Sequence, residues 1–207
     1  MSTHWVEWHR DYDDPTSSLA RRLEVVRTGL CRALEKRPVA RLISICAGDG
    51  RDALPVLAER GRHVDALLVE LDPTLAARAR DAAAALELNR VVVRTTDAGV
   101  SDAYLDSDPA QVVLACGIFG NVPLADAATT IAALPGLLDA RGVVIWTRGR
   151  GEAGPDPAED IRALFAQHGF SELSFTAPTD APFRVGVHQL ESPPTRLTPG
   201  QRLFQFS

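Results

Sequence analysis

The sequence predicts an α/β protein: a doubly wound, Rossmann-like sheet of seven strands, five of them parallel and followed by an antiparallel hairpin, with a helical arm ahead of it. Three observations predict this. From Val39 onward, apolar runs that read as strands alternate with helical runs, the signature of a parallel sheet covered by helices on both faces. Most strand runs are continuously apolar, as strands buried on both sides are. The last two, 172–177 and 183–190, are separated by only a short Pro-containing loop, too little chain for a helical crossover, so they must pair as a hairpin.

The elements follow in order. Residues 2–15 are rich in aromatic and acidic groups, and 17–37 read as a helix with Leu19, Leu23, Val26, Leu30 and Leu34 on one stripe, stopped by Pro38. Parallel strands are expected over 39–46, 63–70, 90–96, 111–116 and 142–147. Between them lie helices over 51–60, closed by Gly61; over 73–88, opened by Asp72 with Pro73 in the first turn and closed near Asn89; and over 124–134. A further helix opens at Asp156-Pro157, where Glu159 completes a capping box, and ends at Gly169. A Pro-rich stretch, 192–200, leads to an apolar tail at 203–206. Residues 1–38 are read as an arm and helix of the same domain as 39–207.

Composition narrows the function classes. The 207 residues are 45% hydrophobic and 24% charged, typical of a globular protein, and no apolar stretch is long enough to span a bilayer. Formal charge is −5 and the basic residues are scattered, so the one-sided footprint needed for nucleic-acid binding is missing. The first ten residues lack the apolar core of a secretory signal, so a cytoplasmic location is expected. Cys31, Cys46 and Cys116 are odd in number and widely spaced, so free, buried thiols are expected rather than disulfides or a zinc site.

The most informative segment is 42–52, where the apolar run Leu42-Ile43-Ser44-Ile45 leads into the turn Cys46-Ala47-Gly48-Asp49-Gly50 and a helix start. Such a turn aims free backbone N–H groups at a ligand, and Glu70, ending the next strand, can grip a ribose. From Val39 to about Leu190 the chain resembles the class I S-adenosylmethionine-dependent methyltransferases. That family usually has an acidic residue followed by Gly-x-Gly-x-Gly; here Ser44 stands for the acid and Cys46 for the first glycine. The resemblance implies that S-adenosylmethionine is held by Cys46, Ala47, Gly48, Asp49 and Gly50, that Glu70, followed by Leu71, accepts from both ribose hydroxyls, and that Asp97 and the Ala98 N–H read the adenine. It also places Cys116 and Gly117 beside the sulfonium, with the Cys46 and Cys116 side chains as neighbours at the methionyl end. In that reading Glu70 faces an open cleft and supports little of the core. Each residue also has a plainer reading: Glu70 as an exposed strand-end acid, Asp97 as a turn residue, Cys116 as a small buried hydrophobe.

The acceptor is less legible. The stretch Cys116-Gly117-Ile118-Phe119-Gly120-Asn121 lacks the Asn/Asp-Pro-Pro-Tyr/Phe segment of enzymes that methylate nucleobase amino groups, and it lacks an acid to hold a divalent ion, so no metal is expected. Methyl transfer to an oxygen or nitrogen of a small molecule is an in-line displacement that needs positioning above all, and a general base only if the acceptor must lose a proton. His9 and Tyr12, in the arm with Trp5 and Trp8, are the candidate catalytic residues if the arm forms an aromatic lid; a packed terminus is the alternative. His63, His168 and His188 read as packed or solvated, and Arg148 and Arg150 as solvated or as an anion clamp on the acceptor. Two other functions fit the same pattern: an NAD(P)-dependent oxidoreductase, through Gly48-x-Gly50-x-x-Ala53 and Glu70, and a non-catalytic S-adenosylmethionine-binding protein.

Overall fold

The computed structural model describes Tyr12 and residues 14–36, 38–151 and 154–206. Helix α1 (Ser18–Lys36) precedes β1 (Arg41–Ile45), α2 (Leu54–Arg60), β2 (Asp65–Glu70), α3 (Pro73–Ala85), β3 (Val91–Thr95), β4 (Ala110–Ala115), α4 (Leu124–Ala133), β5 (Leu138–Gly149), α5 (Ala158–Gln167), β6 (Phe170–Thr176) and β7 (Phe183–Leu190). They form one seven-stranded sheet in the order β3-β2-β1-β4-β5-β7-β6. The first five strands are parallel to one another, and β7 runs antiparallel to both β5 and β6.

Alternate strand residues feed two cores. Leu42, Leu68, Val112, Leu114 and Ile145 pack under α1, α2 and α3, while Ile43, Ile45, Val69, Val113 and Trp146 pack under α4, α5 and the tail residues Leu203 and Phe204. Trp146 stacks on Phe165 with centroids 5.8 Å apart, and its indole N–H donates to His188 Nδ1 at 3.0 Å. Room for that indole comes from its strand partner Gly186, where a Cβ would lie 2.3 Å from the Trp146 ring. The insertion of β7 beside β5 is fastened by Arg184, whose Nε donates to Asp156 Oδ2 at 2.5 Å at the head of α5.

Several boundaries differ from expectation, each for a local reason. Residues 51–53 form turns rather than the first turn of α2, which begins at Leu54 with Pro55 in its first turn. Helix α3 stops at Ala85 because Glu87 takes a left-handed conformation, φ 56°, and Leu88 N–H returns to the Ala83 carbonyl. At α5 there is no capping box: Asp156 accepts from the Ala158 N–H, but the Glu159 carboxylate pairs with Arg162. Strand β5 starts at Leu138, earlier than its apolar run, and the tail adds a bridge, Val100 to Arg202. Among the described residues no helix is long and apolar enough to cross a membrane.

Candidate active site

The carboxyl ends of β1 to β5 converge on the loops that carry the implied site. After Ile45 the backbone turns left-handed at Cys46 (φ 54°), Gly48 (φ 57°) and Gly50 (φ 76°). Gly50 has no room for a side chain, since a Cβ there would lie 2.7 Å from Leu54 Cδ1. The Ala47 N–H donates to the Val69 carbonyl at 2.9 Å, and Glu70 Oε2 accepts from the Gly48 N–H at 2.8 Å while Oε1 accepts from the Asp72 N–H at 2.8 Å. Glu70 is 8% exposed. It is therefore not the loosely held strand-end acid of the plain reading: it knits the loop to β2, and each oxygen keeps lone pairs for a ligand. Asp49 turns its carboxylate to Arg51, Nη2 to Oδ2 at 2.5 Å.

Toward β3, Leu71 is 61% exposed beside Glu70. Asp97 Oδ1 accepts from the Gly99 N–H at 2.8 Å, and Oδ2 from Arg202 Nη1 at 2.5 Å. A tail residue thus shares the acid expected to read adenine. Ala98 is buried, and its carbonyl accepts from the Tyr104 hydroxyl at 2.9 Å.

The two cysteines do not flank a common point. The pairing Ser44 to Leu114 puts residue 46 level with residue 116, and a continued strand would aim both side chains at the same face. The left-handed φ of Cys46 throws its side chain to the other face, where it packs near Tyr104, while Cys116 packs in the core under α1. Burial pushes both thiols up, so they stay protonated at neutral pH. Cys31, Cys46 and Cys116 are free and only partly buried as residues.

Cys116 belongs to a polar cluster with Asp52, Thr147 and Tyr12. Its thiol lies within hydrogen-bonding reach of Asp52 and Thr147, and the Thr147 hydroxyl accepts from the Gly117 N–H at 2.8 Å. Burial raises the Asp52 carboxyl to about 6, and its Oδ1 is screened from solvent without a hydrogen-bond partner. Tyr12 lies over this cluster; its hydroxyl accepts from Arg22 Nη2 at 2.7 Å, and the Arg51 guanidinium sits 4.5 Å from its ring centroid. Of the candidate catalytic pair, Tyr12 is thus at the site, whereas His9, with Trp5 and Trp8, lies outside the described residues. His63 is exposed at the amino end of β2, His168 closes α5, and His188 is buried against Trp146, so none reaches the loops. Arg148 donates to the Phe119 carbonyl instead of standing free for an acceptor. Asp52, Arg22 and Thr147 were missed from the sequence.

No family model matches the sequence, and no curated protein matches it. Solved structures do match in fold. Magnesium protoporphyrin IX methyltransferase from Synechocystis PCC 6803, solved with bound SAM, has a TM-score of 0.69 at 18% identity, covering 91% of this chain and 92% of that one. Precorrin-6y C5,15-methyltransferase from Geobacter metallireducens GS-15 has a TM-score of 0.59 at 15% identity, covering 80% and 87%. The cyclase SpnF has a TM-score of 0.64 at 15% identity, covering 82% and 80%. The chain has the fold of the class I methyltransferases, and neighbours of that fold include a protein named for a different reaction.

Proposed function

We propose that the protein is an S-adenosylmethionine-dependent methyltransferase acting on an oxygen or nitrogen of a small-molecule acceptor. The observation that carries this reading is Glu70: a buried carboxylate at the end of β2, anchored to the Gly48 N–H at 2.8 Å and still holding spare acceptor capacity beside a left-handed loop. The residues present fit the donor. Glu70 would accept from the ribose hydroxyls, exposed Leu71 would cover one face of the base, and Gly117, with nothing within 4 Å of where its Cβ would be, leaves open space beside the end of β4. When bound, S-adenosylmethionine supplies a methyl group already activated on a cationic sulfur. The chain's share is to position: the loop's backbone holds one end, Asp97 and Leu71 the other, and Tyr12 roofs the cluster at Cys116 to limit water.

The nicotinamide alternative fits less well, because dinucleotide-binding sheets follow the order 3-2-1-4-5-6, whereas here an antiparallel strand stands between β5 and the edge strand. Three cysteines with no Cys-x-x-Cys pair, a formal charge of −5 and basic residues scattered along the sequence support a cytoplasmic enzyme with no nucleic-acid partner.

Calorimetric titration with S-adenosylhomocysteine and with NAD separates the readings, the first being expected to bind and the second not. Glu70→Ala should weaken S-adenosylhomocysteine about tenfold or more, since a bond to a charged group contributes about 1.5–3 kcal/mol. It should also lower stability by about 1–3 kcal/mol, because the Gly48 and Asp72 N–H groups lose their acceptor. Parent-like affinity in Glu70→Ala would show that the site lies elsewhere. Turnover against a panel of small hydroxy and amino compounds tests whether a bound donor is used.

A further inference from the structure

At the carboxyl end of the sheet Asp52 is a buried carboxylate with one oxygen lacking any hydrogen-bond partner, and the basic groups nearest it donate elsewhere. Asp49 is held by Arg51; the Arg27 guanidinium donates to the Arg51 carbonyl at 2.8 Å and to Glu24 at 3.0 Å; Arg22 donates to the Tyr12 hydroxyl at 2.7 Å. The Cys116 thiol and the Tyr12 phenol, both neutral, lie against Asp52, and the charged groups that act on it are Asp49, which raises its value, and Arg27, which lowers it. A carboxylate screened from water, with one oxygen bare and a second acid nearby, is unfavourable as an isolated charge and is satisfied by a cation.

We propose that Asp52 is a further cofactor-binding residue, the anionic partner of a cationic group at the methionyl end of the methyl donor. The inference rests on the methyltransferase reading above. It follows from placement and chemistry together. Asp52 meets Cys116, the first residue past β4, at the end of the sheet where ligands of such folds bind. The adenosyl part of the donor carries no cation, whereas its methionyl part carries two, the α-ammonium and the sulfonium. Burial that holds the Asp52 carboxyl near 6 makes the pair sensitive to pH, with Asp49 raising the value further, Arg27 and the backbone N–H groups of Asp52 and Ala53 lowering it, and Cys116, Tyr12 and Arg22 completing the groups around it.

The test is Asp52→Asn, which keeps the shape and removes the charge, titrated with S-adenosylmethionine, S-adenosylhomocysteine and 5′-methylthioadenosine. The first probe has both cations, the second only the α-ammonium, the third neither. The substitution should weaken S-adenosylmethionine about tenfold or more at pH about 8 and leave methylthioadenosine within about twofold, as the loss of one charge-assisted contact requires. Equal weakening of S-adenosylhomocysteine assigns the pair to the α-ammonium; its sparing assigns the sulfonium. In the parent, affinity for the paired probes should fall as pH drops below about 6, and in Asp52→Asn it should stay flat. Three unchanged affinities, or three that weaken alike, would overturn the proposal by making Asp52 irrelevant or merely structural. A parent that binds none of the probes would bring down the methyltransferase reading itself, and this inference with it.

Discussion

Cys46 holds a backbone conformation, φ 54°, that side-chain-bearing residues adopt at a cost of roughly 1–2 kcal/mol. Its side chain offsets that strain by packing against the core under α4 and α5. Two substitutions separate the effects. Cys46→Gly should leave stability within about 1 kcal/mol of the parent, because relief of strain and loss of a small buried side chain nearly cancel. Cys46→Val keeps an apolar side chain but puts a β-branched residue in the left-handed region, and should cost about 2 kcal/mol or more. Urea unfolding of the two variants decides it: a tolerated valine together with a destabilising glycine would show that packing alone governs the position. The same φ redirects the side chain away from Cys116, so one backbone angle divides the two thiols between opposite faces of the sheet.

At the scale of elements, the tail behaves as a strap over the loop after β3. Leu203 and Phe204 are 1% and 2% exposed, the Leu203 N–H donates to the Gly99 carbonyl at 2.8 Å, and Thr130 Oγ1 donates to the Leu203 carbonyl at 3.0 Å. Ending the chain before Gln201 should therefore cost about 3–6 kcal/mol, at roughly 1.5–3 kcal/mol for each large apolar side chain uncovered. By contrast Arg202→Ala, which removes a pair whose side chains are 54% and 43% exposed, should cost no more than about 1 kcal/mol. Equal losses in the two variants would mean that the ion pair, not the apolar contact, holds the strap. The strap was poorly legible in the sequence because its residues carry no periodicity and gain their partners only when the fold is complete. The parallel strands and the final hairpin were legible, since burial on both faces and a short connection leave direct marks in composition. Gly48, Gly50 and Glu70 could be read because their pattern is local. The Asp52 cluster could not, because it exists only where the turn after β1, the end of β4, Thr147 of β5 and the arm residue Tyr12 meet.

Across the whole molecule two buried titratable groups oppose each other. His188 is held neutral by burial, its value lowered to about 4 although Glu172 stands 3.7 Å away and favours the charge. Between about pH 4 and 6.5 the unfolded chain binds the proton and the native chain does not, so this group's contribution is full above pH 6.5 and is lost as pH falls toward 4. Asp52 works the other way. Its folded value is raised to about 6, so the native chain binds the extra proton, and stability declines as pH rises from about 4 through 6. At about 1.4 kcal/mol per pKa unit each group swings stability by about 3 kcal/mol, and together they hold the parent nearly level across this window. His188→Gln keeps an acceptor for the Trp146 indole N–H but cannot titrate. In urea unfolding from about pH 4.5 to 7.5, its deficit relative to the parent should grow with pH by up to about 3 kcal/mol, whereas Asp52→Asn should gain on the parent by a similar amount. A deficit for His188→Gln that stays constant across that range would mean that the fold does not keep the imidazole neutral.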